Sequence, residues 1–468
     1  MKISGVEVKG IACNSRTVRK GFVFVAIKGN LQDGSCFIKE AVANGAVIVV
    51  VDRKMPKTKI SEKTKLLVVK NTRNFLAEIS SEFYGRPSDN LRVIGITGTN
   101  GKTTISYLIE AMVRESGSDC GVIGTINYRF KGKEIPAKNT TPGPVELQGL
   151  LAKMHAQRIK YCAMEVSSHA LDQERVLGIK FAHAVFTNLT QDHLDYHKNM
   201  ENYFLAKAKL FNLLKRYGVA VVNNDDKYSQ RIKKSIRGRL ISYGIKNKST
   251  VMAAHIDSGM RGTEFTLIAP GIKTRIKTSL IGRYNIYNIL AAISWGISEG
   301  LRLKDIKSAI EKFKNVPGRL EKLSSKKGLN IFVDYAHTPD ALLNVISALR
   351  PLVPAKIIVI FGCGGERDKL KRPKMGKIVT SLADYAIITS DNPRSEDPLR
   401  IIRDIRMGIC KSNYCVISDR FKAIQAGLKL IGRDDCLVIA GKGHEEYQVF
   451  KNRVLHFSDR EAVQKCLR

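Results

Sequence analysis

No stretch of this chain is apolar for long enough to cross a bilayer. The longest uninterrupted apolar runs, Phe22 to Ile27 and Ala46 to Val51, fall far short of the roughly 20 residues a membrane helix needs, so no membrane insertion is expected. Residues 1 to 10 lack the apolar core of a signal peptide, so export is not expected either. Nine cysteines occur without a single CxxC pair. An odd number scattered through a long chain fits reduced thiols in the cytoplasm better than disulfides or structural zinc. Low-complexity segments are missing as well, and with 44% hydrophobic residues the chain can bury cores throughout its length. Acidic residues are scarce beside basic ones, 43 against 78, leaving a net charge of +35. Such an excess can serve nucleic acid, an anionic membrane surface or a polyanionic substrate, or be a lysine-rich surface bias. The basic runs Arg231-Ile232-Lys233-Lys234 and Lys369-Leu370-Lys371-Arg372 lack the interleaved aromatics of a strand-stacking platform, so dedicated nucleic-acid binding is not expected.

What is present is a phosphate cradle. The apolar segment Leu91 to Thr97 runs into Gly98-Thr99-Asn100-Gly101-Lys102-Thr103-Thr104, the pattern of a buried strand, a glycine turn and a helix start. Glycines let backbone N–H groups close around phosphate oxygens, and the helix N-terminus adds partial positive charge. Lys102 reaches the terminal phosphates, and the Thr103 hydroxyl suits Mg²⁺. The spacing departs from the strict pattern, since Ile96 stands where a glycine is expected and Gly95 comes one residue early. No Asn-Lys-x-Asp base-reading motif occurs, which favours adenine over guanine.

A length of 468 residues suits about three domains. Residues 1–90 read as a small α/β unit, with the strand Phe22 to Ile27, a turn at Gly29 to Gly34, and a helix end at Ala41 to Ala46 leading into the buried strand Val47 to Val51. Tyr84 to Ser88 reads as a linker. Residues 91–315 alternate strand and helix through Met164 to Thr187, with helical patterning at Tyr203 to Leu214 and Leu303 to Phe313, as in a parallel sheet covered by helices. A break at Asn315-Val316-Pro317-Gly318-Arg319 opens residues 316–468. There the apolar strands Ile331 to Asp334, Lys356 to Phe361, Tyr385 to Thr389 and Cys436 to Ala440 end in polar loops, the mark of a doubly wound sheet with its ligands at the strand ends. The class is α/β.

Met164-Glu165-Val166-Ser167-Ser168-His169 and Asp192-His193-Leu194-Asp195-Tyr196-His197 each follow an apolar segment and fall beside the phosphate loop. A carboxylate and an imidazole there suit Mg²⁺ near a transferring phosphate. His193 and His197, four apart, leave zinc open, and each histidine alone also reads as a hydrogen-bonded structural residue. Gly362 to Asp368 and Asp391-Asn392-Pro393-Arg394 put arginines on glycine- and proline-rich loops, suited either to a carboxylate or phosphate or to a solvated turn. Gly441-Lys442-Gly443-His444-Glu445 adds an anion nest after a strand.

Taken in order along the whole length, these elements resemble the Mur ligases, ATP-dependent amide-forming enzymes of peptidoglycan precursor synthesis. The resemblance implies three domains: a small N-terminal α/β domain, a central P-loop ATPase-type parallel sheet and a C-terminal doubly wound, Rossmann-like domain. It implies ATP as co-substrate, Mg²⁺, a small-molecule peptide substrate and a monomer working in the cytoplasm. Asp391-Asn392-Pro393-Arg394 resembles the signature of members that add meso-diaminopimelate to UDP-N-acetylmuramoyl-L-alanyl-D-glutamate, whereas lysine-adding members lack that arginine.

By the same resemblance, Gly98 to Thr104, Asn285, Asn288, Arg319, Asp334 and His337 bind ATP, and Lys102, Glu165, His193 and Lys207 are catalytic. Thr103, Glu165, His193 and Lys207, the last as a carbamate, hold metal. From its own surroundings Lys207 reads only as a helix-surface lysine. Ser15, Asn139, Thr140, Thr141, Ser167, Gln173 and Arg175 grip the sugar-peptide. Arg367, Asp391, Asn392, Pro393, Arg394, Gly441 and Glu445 hold diaminopimelate, with Arg394 expected to be buried and to penalise a substrate lacking the distal carboxylate. Asn14 and Asn30-Leu31-Gln32 depart from the family pattern, leaving the uracil contacts least defined. A C-terminal domain closing on a hinge near Val316 to Arg319 is also implied.

Overall fold

A computed structural model describes residues 1–29, 32–52, 63–325 and 328–467; Asn30 and Leu31 of the expected uracil turn lie outside the described residues. The first sheet is fully parallel, with Gly10–Ala12, Phe22–Val25, Ala46–Asp52 and Lys65–Val69 side by side in chain order. Val23, Val25, Ile48 and Val50 face Leu76 and Ile79 of the helix Thr72–Phe83 on one side. Phe24, Val49 and Val51 face Ile38 and Ala41 of the helix Ile38–Ala43 on the other. Two-sided burial explains why Ala46 to Val51 is continuously apolar instead of alternating.

Eleven strands form the central sheet. Its middle is parallel, running from Cys120–Ile123 through Tyr161–Glu165, Arg92–Thr97, Phe181–Phe186, Leu214–Asn223 and Arg239–Gly244 to Val251–Gly259. Antiparallel ribbons, Asn127–Phe130 with Lys133–Pro136 at one end and Gly262–Ala269 with Ile272–Thr278 at the other, extend it beyond what the sequence indicates. The helices Lys102–Glu115, Arg283–Glu299 and Leu303–Lys312 cover one face, and Pro144–Ala156 and Met200–Ala208 the other. The expected helix from Tyr203 to Leu214 ends at Ala208, tightens into a 3-10 turn at Lys209–Leu213 and becomes a strand at Leu214. There the apolar run Val219 to Val222 is drawn into the sheet.

The third sheet has the order Glu321–Leu323, Asn330–Asp334, Cys436–Ala440, Ile357–Phe361, Tyr385–Ile388 and Tyr414–Val416, all parallel except the first. The helices Pro339–Leu349, Lys371–Leu382 and Pro398–Arg406 pack on one face, and Arg420–Leu430 and Asp459–Leu467 on the other. It is doubly wound, so the loops after Asp334, Phe361, Ile388 and Ala440 gather at one edge. Among the described residues no helix is long and apolar enough to cross a membrane.

Candidate active site

The buried strand Arg92–Thr97 delivers the chain to Gly98, and the helix begins at Lys102. Two glycines in this turn are sterically required. A Cβ on Gly98 (φ +147°) would stand 1.8 Å from Thr187 Oγ1, and one on Gly101 (φ +92°) 2.3 Å from Asn288 Oδ1. The loop is braced from neighbouring strand ends, with Thr187 Oγ1 donating to Asn100 O (2.6 Å) and Asn188 Oδ1 accepting from Asn100 N (3.0 Å). Lys102 Nζ rests on the carbonyls of Gly98 and Thr99, 2.9 Å from each. Burial pulls its pKa down, partly offset by Glu165.

Glu165, at the end of its strand and 1% exposed, accepts from Thr103 Oγ1 (3.1 Å), Thr125 N (2.9 Å) and Thr125 Oγ1 (2.9 Å). Thr103 Oγ1 also accepts from Arg319 Nη2 at 3.1 Å, so the phosphate helix, a strand-end carboxylate and an arginine of the last domain share one hydroxyl. Lys207 is no surface lysine. The inward face of Met200–Ala208 buries it to 2% exposure, with Nζ 2.9 Å from Gly98 O and 4.5 Å from the Tyr203 ring centre. Burial, reinforced by Lys102 and opposed by Asp192, drives its pKa well below the ordinary lysine value.

His193 sits at φ +54° with Nε2 3.3 Å from Asp192 Oδ2. Burial dominates and keeps the ring neutral, against the pull of Asp192. Burial would raise the Asp192 carboxyl, but His193, Lys371 and His337 together hold it low. His197 instead bonds Ser168 Oγ at 3.0 Å. Among the described residues no three His, Cys, Asp or Glu side chains converge as a metal cluster, so a zinc site on His193 and His197 is not formed.

The candidate sugar-peptide residues divide between two places. Thr141 Oγ1 donates to Glu165 O (2.8 Å) and accepts from Ser167 N (3.0 Å). Arg175 grips Gln173 Oε1 and donates to Thr141 O at 3.0 Å. Thr140 Oγ1 stands 3.1 Å from Thr125 Oγ1, while Asn139 is exposed and engaged through its backbone by Tyr128 OH. Ser15 lies in the first domain, buried, with its hydroxyl donating to Glu40 at 2.8 Å.

A cavity of about 510 Å³ opens beside the phosphate loop. Asn285, Asn288, Arg319 and Asp334 line it, as the sequence indicates, and so do Asp225, Tyr287 and Asp340, which it did not single out. Asn288 Nδ2 donates to Asn285 Oδ1, and Asp334 anchors Ala336 N at 2.7 Å. Asp225 accepts from Tyr287 OH (2.8 Å) and from three backbone N–H groups between Ile245 and Asn247. A visible signal was available, since Asn223-Asn224-Asp225-Asp226 is a polar cluster immediately after an apolar strand. His337 does not line the cavity; its Nδ1 is tied to Tyr335 O at 2.7 Å, and burial lowers its pKa to about 4.

The C-terminal loops meet one another. Glu445 accepts from Asn392 Nδ2 (2.8 Å) and from Lys442 Nζ (3.1 Å). Asp391 and Asn392 are buried, and a Cβ on Gly441 (φ +115°) would come within 2.5 Å of Asp391 Oδ2. Arg394 departs from expectation: it is half-buried, not buried, and donates from Nη1 to Gly365 O at 2.6 Å. Arg367 is exposed. Tyr335 links this cluster to the phosphate-loop side, with the Arg319 guanidinium 4.6 Å from its ring centre and its hydroxyl 3.4 Å from Glu445 Oε1.

Three family models match successive parts of the chain: the Mur ligase family, catalytic domain, over residues 7–84; the Mur ligase middle domain over 96–296; and the Mur ligase, glutamate ligase domain over 318–443. The chain is 42% identical over 464 residues to the UDP-N-acetylmuramoyl-L-alanyl-D-glutamate--2,6-diaminopimelate ligase of Clostridium botulinum, covering 99% of this chain and 95% of that one. It is 43% identical to the enzyme of the same name from Aquifex aeolicus, covering 98% and 94%. A solved structure of a ligase of that name superposes with a TM-score of 0.69 at 33% identity, covering 98% of this chain and 94% of that one. MurF ligase from Thermotoga maritima in complex with ADP gives 0.67 at 20% identity, covering 99% and 98%, a likeness of fold.

Proposed function

This chain belongs to the Mur ligase family, and from that premise we propose that it joins meso-2,6-diaminopimelate to UDP-N-acetylmuramoyl-L-alanyl-D-glutamate at the expense of ATP, a step of peptidoglycan precursor synthesis. The observation that carries the reading is one run of contacts, Thr103 to Arg319 to Tyr335 to Glu445 to Asn392, linking the phosphate loop to the arginine-bearing loop. The enzyme is an ATP-dependent amide-forming ligase. The γ-phosphoryl group passes to the side-chain carboxylate of D-glutamate, giving an acyl phosphate and ADP. The diaminopimelate amine attacks the acyl carbon and loses a proton, and inorganic phosphate leaves as the amide forms.

Each residue has a task in this scheme. Lys102 leaves its two loop carbonyls to neutralise the β- and γ-phosphates. Asn285, Asn288, Arg319 and Asp334 shape the nucleotide pocket, with His337 fixing the turn beside it. Thr140, Thr141, Ser167, Gln173 and Arg175 hold the peptide end of the acceptor beside Glu165, and Ser15 and Asn139 contact it farther out. Arg367, Asp391, Asn392, Pro393, Arg394, Gly441 and Glu445 hold diaminopimelate, carboxylates against guanidinium groups and the amine against acids.

The donor set fits Mg²⁺: Glu165 and Thr103 offer hard oxygens next to the phosphate loop, and Mg²⁺ asks few ligands of a protein when phosphates supply the rest. Thr103 and Glu165 would hold one ion, His193 and a carbamylated Lys207 a second. When bound, the metal supplies Lewis-acid neutralisation of phosphate charge. Burial that lowers the Lys207 pKa favours the unprotonated amine, the form that combines with CO₂, and the carbamate it gives is an anion able to ligate metal.

We assign residues 1–90 to the sugar nucleotide, 91–315 to ATP and 316–468 to the amino acid, supported by a separate sheet in each span. A monomer in the cytoplasm belongs to the same proposal, the cytoplasm being the compartment that suits free thiols at all nine cysteines. The test is ATP-dependent phosphate release with the sugar-dipeptide and Mg²⁺, giving meso-diaminopimelate to one sample and L-lysine to another. Release and a mass-shifted tripeptide with diaminopimelate alone are expected. Equal turnover with lysine would overturn the amino-acid assignment, and silence in both would overturn the ligase.

A further inference from the structure

The basic run Lys369 to Arg372, which as sequence reads as solvated surface, splits in the fold. Leu370 is 70% exposed, whereas Lys371 is 8% and Arg372 0%. The burial of Arg372 is accounted for: its guanidinium bonds Glu396, Asp404 and Gly364 O. Lys371 has no such account, since no hydrogen bond or ion pair joins its ammonium to any described residue. Its stem is buried while its ammonium, which is not among the fully buried polar atoms, is left unpaired and open to an incoming anion.

Its position at a helix N-terminus adds to this. Lys371 opens the helix Lys371–Leu382, whose first turn contains no acidic residue, so a cation stands at the positive end of a helix dipole. Both features favour an anion arriving from outside. Lys374 fixes the direction of this face, donating to Gln191 Oε1 at 2.7 Å across the domain boundary. Lys371, three residues earlier, lies on the same face of the helix and so looks toward the loop Thr190 to His193. The charge of Lys371 bears on Asp192 and His337, and Lys102 of the phosphate loop bears on Asp192 as well. Asp192 is nevertheless not its salt-bridge partner. The only ion pair of that carboxylate among the described residues is with His193.

We propose that Lys371 is a further catalytic residue of the ligase, a cation brought by the C-terminal domain to the phosphoryl group in transit from ATP to the substrate carboxylate. The inference rests on the reaction assigned above. Lys102 meets that group from the central domain and Lys371 from the opposite one, so full charge neutralisation exists only while the two domains are docked. Phosphoryl transfer is thereby tied to the state in which diaminopimelate is also held in place.

The experiment compares wild type with Lys371→Met, Lys371→Gln and Lys371→Arg by steady-state phosphate release, with melting temperatures alongside. Removal of one preorganised charge from a phosphoryl-transfer site costs on the order of 10² to 10³ in rate. The expected result is a fall in kcat of that size for methionine and glutamine, with KM for ATP and diaminopimelate within about threefold. Arginine is expected to recover at least about a tenth of wild-type kcat, because it keeps the charge. Unchanged kcat in the methionine variant overturns the proposal. So does a raised KM for diaminopimelate at constant kcat, which would make the ligand an amino-acid carboxylate. A parallel loss of kcat and melting temperature in all three variants, arginine included, overturns it in favour of a packing role. Absence of phosphate release by the wild type would instead sink the underlying reaction.

Discussion

Asp340, in the first turn of the C-terminal helix Pro339–Leu349, accepts a hydrogen bond from the side-chain amide of Asn100 in the phosphate loop at 2.8 Å. The same oxygen accepts from Thr190 Oγ1 (3.2 Å) and, within its own helix, from Asn344 Nδ2 (3.1 Å). One carboxylate thus ties the C-terminal domain to the phosphate loop and to the neighbouring strand end. Hydrogen bonds to a charged group are worth about 1.5–3 kcal/mol each. Asp340→Ala is expected to lower kcat/KM for ATP by about tenfold or more. X-ray scattering should also register less compaction with nucleotide and sugar-dipeptide bound. Unaltered ATP kinetics and full compaction would show that the two domains are held by other contacts.

Arg394 makes a second case. Its backbone is left-handed, φ +54°, and its guanidinium is steadied by Gly365 O. A half-exposed arginine is partly screened by solvent, so the penalty for a missing carboxylate is smaller than a buried one would impose. For Arg394→Ala we expect KM for diaminopimelate to rise on the order of 30-fold, with the preference over lysine shrinking by the same factor. Competition assays with both amino acids in one mixture measure the ratio directly. A preference that survives intact would locate discrimination elsewhere in the loop.

Lys207 offers a chemical test. Its amine, whose pKa burial drives well below the ordinary lysine value, should take up CO₂. In ¹³C-bicarbonate the wild type should show a single carbamate carbon signal, and Lys207→Arg none. Enzyme kept in CO₂-free buffer near pH 5 should lose activity and regain it with bicarbonate. Full activity with no carbamate signal would leave Lys207 as a plain buried amine.

His183 governs a pH response away from the reaction. It is 0% exposed on the strand Phe181–Phe186, with neither ring nitrogen hydrogen-bonded; the nearby Glu299 is committed to Arg92. Burial, with Arg92 and Arg239, lowers its pKa to about 3. The unfolded imidazole binds a proton near pH 6.5 and the folded one does not until near 3. Falling pH therefore favours the unfolded chain through this window, and stability rises with pH across it. The expected loss between pH 7 and pH 5 is about 2 kcal/mol, read from urea midpoints. His183→Asn should flatten that dependence, and an identical pH slope in the variant would assign the effect to other groups.

Much of the site is legible in the chain because its chemistry sits at strand ends, where an apolar run stops and a polar cluster begins. That signal marks Gly98 to Thr104, Glu165, Asp192-His193, Asp334 and Asp391 to Arg394 without any structure. It also marks Asn223 to Asp226, whose place in the cavity wall is plain only when Asp225 is seen holding Tyr287 and the 245–247 backbone.

Sequence by itself determined the three α/β units and the phosphate loop. Hydrophobic runs, glycines and their order are local properties, set by what a strand must bury and how closely a backbone must approach a phosphate. Tertiary structure alone decided which lysines are buried. Lys207 and Lys371 look like their exposed neighbours Lys209 and Lys369 in pattern, and helical periodicity cannot say which face a second element will cover. Only the packing of Met200–Ala208 under the phosphate loop, and of Lys371–Leu382 beside Gln191, covers those two side chains. The same holds for Asp340. A carboxylate on a helix surface acquires its meaning when another domain supplies the donors, a contact separated by 240 residues along the chain.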